Sequence, residues 1–214
     1  MANKIRVILA DDHDCVRVGV TRLLRATPDI EVVGEASDTP GLAKLLDSCN
    51  CDVIVTDIGM PGLDGGANSV SFLRRVLRGR AHPPVVVLTM IGRSHMLSGL
   101  LHLGVSAIVD KRDTTTHLID AVRAAMAADV YLSEHVRMAM KITEAPPQLR
   151  DGILSAREWE IFQLYAQGLA VHEIADRLQR SSKTVSTQKR TAMRKLGLDT
   201  DSDLIDYARQ IGLI

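Results

Sequence analysis

The chain has 214 residues, 46% of them hydrophobic, and its 26 acidic and 26 basic side chains cancel to zero net charge. That length suits two domains with sizeable cores, because one core usually serves roughly 100 to 200 residues, and the charge balance by itself argues for no partner. Two Phe, one Trp and three Tyr leave the core to aliphatic residues and argue against recognition of single-stranded nucleic acid by stacking.

From the N-terminus, short β-branched runs alternate with longer helical segments, the mark of an open parallel sheet covered on both faces. Strands are expected at 4–10, 30–36, 52–57, 84–89 and 106–110. Helical spacing follows each one: Val16, Val20, Leu23 and Leu24; then Leu42, Leu45 and Leu46; then Val70, Leu73 and Leu77; then Leu97, Leu100 and Leu101. Leu118, Ala121, Val122 and Ala125 supply a fifth helix. Pro28, Pro61-Gly62, Gly65-Gly66, Pro83-Pro84 and Gly104 punctuate the pattern. After Ala127 the strand signals stop, and the rest reads as helix or loop. Ser133 is a candidate cap for a short helix to about Ile142, and Glu144-Ala145-Pro146-Pro147-Gln148 reads as a linker. Near Asp151 a second unit begins, where Ser155 and Glu158 have capping-box spacing. Its helices are expected at 156–166, 171–178, 182–196 and 201–211. The expected division is therefore a first domain at 1–127, a linker with a short helix at 128–150, and a helical domain at 151–214.

Cys15, Cys49 and Cys51 show no paired spacing, which fits a reducing compartment. The N-terminus turns acidic early and no apolar stretch approaches about 18 residues, so neither a signal peptide nor a membrane span is expected, and the cytoplasm is the expected location.

Three apolar runs end in chemistry: Val7-Ile8-Leu9-Ala10 before Asp11-Asp12, Val53-Ile54-Val55-Thr56 before Asp57, and Ala107-Ile108-Val109 before Asp110-Lys111. As neighbouring parallel strands they bring the carboxylates and an ammonium to one sheet edge. Packed carboxylates repel, so a cation or an ammonium must keep them ionised. Magnesium takes oxygen ligands and usually only one or two protein carboxylates. Asp11, Asp12 and Asp57 offer that set, with the Gly59 carbonyl as a further ligand and Lys111 as internal counter-charge. Such a field also favours phosphoryl transfer to a carboxylate. Asp57, isolated at its strand end, is the candidate acceptor, and Thr89 ends Val85-Val86-Val87-Leu88 with a hydroxyl for a phosphoryl oxygen.

Together with the loop from Asp57 to Gly65, these residues resemble the receiver domain of bacterial response regulators over residues 1 to about 127. The resemblance implies a flavodoxin-like, doubly wound α/β fold with strand order 2-1-3-4-5. It also implies a phosphoacceptor at Asp57, magnesium on Asp11 and Asp12, a switch hydroxyl at Thr89 and a phosphoryl contact at Lys111. Two positions depart from the family: Ile108 stands where a switch aromatic is usual, and Arg112 where a proline usually follows the lysine.

In the second unit no acidic residue lies between Asp176 and Asp199, a stretch that holds Arg177, Arg180, Lys183, Lys189, Arg190, Arg194 and Lys195. The segment 170–178, a polar turn and 183–190 have helix-turn-helix form, with Ile174, Leu178, Val185, Ala192, Met193 and Leu196 as the expected apolar seam. The opposite face of the later helix carries Lys183, Ser186, Thr187, Arg190 and Arg194 and suits the major groove of double-stranded DNA, with Thr184 and Lys189 completing the expected DNA-binding set. Ser186, Thr187 and Arg190 are placed for base edges, and Lys183, Lys189 and Arg194 for phosphates. Leu154-Ser155-Ala156-Arg157-Glu158, Gln167-Gly168, Glu173-Ile174-Ala175, Lys183-Thr184-Val185 and Lys195-Leu196-Gly197 resemble the LuxR-type domain of NarL/FixJ regulators over about 150 to 212. Ser186-Thr187-Gln188-Lys189 resembles the Rcs- and Bvg-type branch of that family. The final helix, with Leu204, Ile205, Ala208 and Ile211, resembles the family's dimerisation helix, and packing against Trp159 and Phe162 is an equal reading of it.

The expected function is a phosphorylation-controlled transcription factor and not an enzyme. Its expected partners are promoter DNA, a sensor histidine kinase or phosphotransfer protein, and a second copy of the chain or another transcription factor. The rival reading, an aspartate-nucleophile phosphohydrolase, usually needs a second Asp where Gly59 stands.

Overall fold

The computed structural model describes residues 4–60, 69–79, 82–90, 94–140, 154–196, 198–210 and 213–214. The first unit is a parallel sheet built from β1 (Ile5–Ala10), β2 (Ile30–Ala36), β3 (Val53–Asp57), β4 (Val85–Thr89), β5 (Ala107–Asp110) and β6 (Tyr131–Leu132), in the order β2-β1-β3-β4-β5-β6. The doubly wound fold and the order of the first five strands agree with expectation. Val7 to Ala10, Val53 to Val55, Val85 to Leu88 and Ala107 to Val109 are fully buried, as a parallel sheet with both faces covered requires.

Side-chain alternation divides those strands between two cores. Val7, Leu9, Val55 and Leu88 meet α1 (Asp14–Arg25) and α5 (Thr114–Met126) through Val20, Leu24, Leu118 and Val122. Ile8, Ile54, Val87 and Ile108 face α2 (Thr39–Ser48), α3 (Ser69–Leu77) and α4 (Ser94–Leu103) through Leu42, Leu73, Leu97 and Leu100.

The sixth strand corrects the expectation that strands end at Ala127. Ala128 turns the chain back from α5 in a left-handed conformation, φ 58°, with no Gly or Asn to announce the turn. Tyr131 N–H then donates to the Ser106 carbonyl at 3.1 Å, and Ser133 N–H to that of Ile108 at 3.0 Å. Two residues are too few to display alternation. Ser133 precedes α6 (Glu134–Ala139) without capping it through its side chain, and its buried hydroxyl instead accepts from the Asp110 N–H at 3.0 Å. The early part of the expected 128–150 linker is thus sheet and helix packed on β5, while the proline segment 144–148 and the loop 61–68 lie outside the described residues.

The second unit comprises α7 (Ala156–Ala166), α8 (Val171–Arg177), α9 (Ser182–Leu196) and α10 (Asp201–Gln210). The capping box forms as expected: Ser155 Oγ accepts from Glu158 N–H at 3.3 Å, and Ser155 N–H donates to Glu158 Oε2 at 2.8 Å. Lys195 Nζ reaches the same carboxylate at 2.7 Å and ties α9 to α7. Burial raises the Glu158 carboxyl, but Lys195 and Ser155 outweigh it and hold the group below its usual range. Stability from this cluster is therefore present above the unfolded value near pH ~4.3 and lost as pH falls through the lower folded value. Ser155→Ala should cost about 1 kcal/mol, read by urea denaturation, and Glu158→Gln should flatten the decline in Tm between about pH 5 and 3.

The expected seam divides. Val185 packs with Ile174, Ala175 and Ile161 in a core of the second unit, whereas Ala192, Met193 and Leu196 join the larger cluster that runs through α4 to the sheet. A 15-residue α9 outreaches the 7-residue α8, so its C-terminal half packs on other elements.

Candidate functional site

Strand register builds the first site. Ala10 lies abreast of Thr56, Asp57 abreast of Leu88, and Thr89 abreast of Asp110, so Asp11, Asp57, Thr89 and Lys111 emerge together at the carboxyl edge of β1, β3, β4 and β5. In doubly wound sheets that edge is where ligands bind. Lys111 Nζ stands 2.9 Å from Asp57 Oδ2 and 2.8 Å from Asp11 Oδ2. Burial alone would lower the ammonium, yet the Asp11 and Asp57 carboxylates raise it above its usual range. Asp11, Asp57 and Thr89 are buried, and Asp12 is exposed at the rim.

His13 also belongs to this cluster. Its Nδ1 lies 2.9 Å from Asp12 Oδ1, 3.2 Å from Asp11 Oδ1 and 3.9 Å from Asp57 Oδ2. Its N–H donates to Asp11 Oδ1 at 2.8 Å, which turns the chain at the start of α1. Its place directly after Asp11-Asp12 was the available signal.

The donor set fits a divalent cation. One ligand atom from each of Asp11, Asp12, His13 and Asp57 lies within 4.8 Å of the others. Asp11 Oδ2 is buried without a well-aligned hydrogen bond, its contact to Lys111 being ionic. At Gly59 a Cβ would stand 3.2 Å from Asp57 Oδ2, so the absent side chain leaves room beside the carboxylate.

Where a proline was expected, Arg112 forks onto Asp110, Nε to Oδ1 at 2.8 Å and Nη2 to Oδ2 at 2.7 Å. Its guanidinium holds the Asp110 carboxyl below the usual range. Asp110 also caps the 3₁₀ turn Lys111–Asp113 by accepting from Arg112 N–H at 2.9 Å, so an ion pair and a cap shape the loop that places Lys111. Ile108 is fully buried against α4 and carries no polar group to the surface.

In the second unit, Lys183, Thr184, Thr187, Arg190 and Arg194 are exposed and Ser186 is half-buried on α9. Ser181 accepts from Thr184 N–H at 3.1 Å and fixes the helix start. Lys189 departs from the expected phosphate contact. Its ammonium lies 2.6 Å from Asp201 Oδ1 and 3.6 Å from the Tyr165 ring centroid, while Tyr165 Oη donates to Asp201 Oδ2 at 2.7 Å. Lys189 is thus committed to joining α9, α7 and the start of α10. Among the described residues no helix is long and apolar enough to cross a membrane.

Residues 7–123 match the family model for the response regulator receiver domain, and residues 152–208 that for bacterial regulatory proteins of the luxR family. The transcriptional regulatory protein RcsB of Escherichia coli K12 is 35% identical over 212 residues, 99% of this chain and 97% of that one. RcsB of Salmonella enterica serovar Typhimurium, solved on a promoter in the presence of phosphomimetic BeF3−, matches with TM-score 0.65 and 33% identity over 98% of this chain and 100% of that one. A structure of two RcsB dimers bound to two parallel DNAs matches with TM-score 0.63 and 34% identity, covering 96% and 98% of the two chains.

Proposed function

Because the chain belongs to the response regulators that join a receiver domain to a LuxR-type DNA-binding domain, we propose that Asp57 accepts the phosphoryl group that controls it. The protein is a phosphorylation-controlled, sequence-specific DNA-binding transcription factor. The observation that carries the assignment of Asp57 is its buried carboxylate at the sheet edge, 2.9 Å from the Lys111 ammonium and beside the Asp11 carboxylate.

In this reading an Asp57 oxygen attacks the phosphorus of a sensor kinase or phosphotransfer protein's phosphohistidine, and the P–N bond breaks. Lys111 neutralises charge on the transferred group, and the Thr89 hydroxyl donates to one of its oxygens. Magnesium, held by Asp11, Asp12, Asp57 and the Gly59 carbonyl, would supply further positive charge to the phosphoryl oxygens. Burial of Asp11 and Asp57 keeps bulk water from the acyl phosphate.

The receiver unit is best drawn through α6, since β6 pairs with β5, with 141–153 joining it to the DNA-binding unit. Ser186, Thr187 and Arg190 are assigned to base edges, and Lys183, Thr184 and Arg194 to the backbone. Lys189 is reassigned to holding α9 against α10. Arg194→Ala should therefore lower the salt slope of DNA binding by about one, while Lys189→Gln should leave that slope unchanged and lower Tm. The partners are promoter DNA, the phosphodonor protein and a second copy of the chain, with the cytoplasm as the place of action.

Incubation with a small phosphodonor and magnesium tests the assignment. One slowly lost phosphoryl group per chain on Asp57, seen by intact-mass and peptide spectrometry, is expected. Many turnovers of donor per chain would identify a phosphohydrolase instead.

A further inference from the structure

The side chain of His13 gives α1 no capping hydrogen bond. The turn into that helix is held instead by the His13 backbone N–H, which donates to Asp11 Oδ1 at 2.8 Å. The ring has no part in starting the helix, yet it leans over the carboxylates. Its Nδ1 lies 2.9 Å from Asp12 Oδ1, 3.2 Å from Asp11 Oδ1 and 3.9 Å from Asp57 Oδ2. In an octahedral complex with bonds of about 2.1 Å, neighbouring donor atoms stand about 3.0 Å apart and opposite ones about 4.2 Å. The two shorter distances are those of polyhedron edges, and the longest approaches a diagonal. Nδ1 therefore stands at a vertex of the polyhedron that the carboxylates outline.

Two further observations point to an ion in contact with the ring. Asp11 is fully buried, and its Oδ2 has no well-aligned hydrogen bond, so that oxygen is available to a cation. The His13 side chain is 61% exposed, which makes the ring the solvent-side wall of the cluster. Charge agrees with this placement. Three carboxylates facing the single Lys111 ammonium leave a double negative charge. A dication cancels it, and a neutral imidazole with its proton on Nε2 adds a lone pair at Nδ1 without adding charge.

The identity of the donor atom decides which dication is favoured. Magnesium takes oxygen ligands and gives up its waters reluctantly, whereas imidazole nitrogen suits the first-row transition ions. Resting on the reading of Asp11, Asp12 and Asp57 as a metal site, we propose that His13 ligates the same ion through Nδ1 and makes the site select a transition dication over magnesium. Manganese(II) is the natural probe, because it accepts both carboxylate oxygen and imidazole nitrogen.

The test uses the full, unphosphorylated chain as wild type, His13→Ala and His13→Asn, the last offering an amide oxygen in place of the ring nitrogen. Electron paramagnetic resonance of free manganese(II) measures its binding, magnesium competition gives the second affinity, and pulsed spectra of the bound ion report any coupled imidazole nitrogen. Wild type should show that nitrogen coupling. Both variants should lose it and bind manganese(II) about tenfold more weakly, the lower end of what loss of a contact costs a metal site, while magnesium binding changes less than twofold. Because the substitutions leave the backbone turn in place, unfolding of the metal-free chains should occur at similar temperatures, and the wild-type spectrum tests the ligand without any variant. Absence of imidazole coupling in the wild type would overturn the proposal, as would equal weakening of both ions in the variants. Tighter binding of both ions by His13→Ala would overturn it too, by showing that the ring competes with the cation. If the wild type binds neither ion, the metal reading of the carboxylates fails as well.

Discussion

Asp57→Asn yields a chain that takes up no phosphoryl group, against one per chain in the wild type, and whose DNA binding no longer responds to phosphodonor. An amide of the same shape cannot form the acyl phosphate. Lys111 keeps Asp11 as a partner at 2.8 Å, so the loss is chemical and the fold persists. Lys111→Met separates the two effects. It leaves the buried Asp11 and Asp57 carboxylates facing each other without a counter-charge, and breaking a buried pair from one side costs about 3–5 kcal/mol. Denaturation in magnesium-free buffer should show that loss, and added magnesium should recover part of it, because a bound cation stabilises the folded state by mass action. The pair holds the Lys111 ammonium above its usual range. Its contribution is therefore present below the unfolded value near pH ~10.4 and lost only as pH rises through the higher folded value. Across neutral pH Lys111 stays charged.

Arg190→Ala weakens specific DNA binding by about 10- to 100-fold, the equivalent of about 1–3 kcal/mol for one bidentate base contact. Non-specific binding, assigned above to phosphate contacts by Lys183 and Arg194, should change far less. The distinction follows from position. Arg190 is exposed on the outward face of α9, whereas Lys189, its neighbour in sequence, is spent on Asp201 and Tyr165. Competition titrations with specific and random duplexes measure both losses. An equal loss in the two would show that Arg190 binds phosphate and reads no base.

Much of the receiver was legible because its logic is local. Apolar runs ending at Asp11, Asp57, Thr89 and Lys111 suffice once parallel pairing is inferred, and the register places those ends together. The capping box at Ser155 and Glu158 was equally visible, being a three-residue spacing with a physical cause. What escaped was tertiary. The turn at Ala128 uses a left-handed residue of the wrong type to be noticed, which hid β6. Lys189 reads as one cation among several, and only folding sets Asp201 and Tyr165 around it. His13 and Arg112 reveal their roles only when the carboxylates they face are in place. The docking of α4 on the second unit joins His102 to Leu154, 52 residues apart, a separation that no local pattern signals.

Ile108 and Arg112 mark where this receiver departs from its family, and both bear on how phosphate reaches DNA. Arg112 replaces a rigid ring with a fork onto Asp110, which keeps Lys111 in place by charge. Ile108, fully buried, closes the aromatic route.

Genome-wide mapping of bound DNA in cells carrying wild type or Asp57→Ala, with matched protein levels, tests phosphate control of DNA binding most directly. The wild type should occupy a limited set of paired half-sites under inducing conditions, and Asp57→Ala should lose most of that occupancy. Equal occupancy by the two chains under every inducing condition would contradict the account.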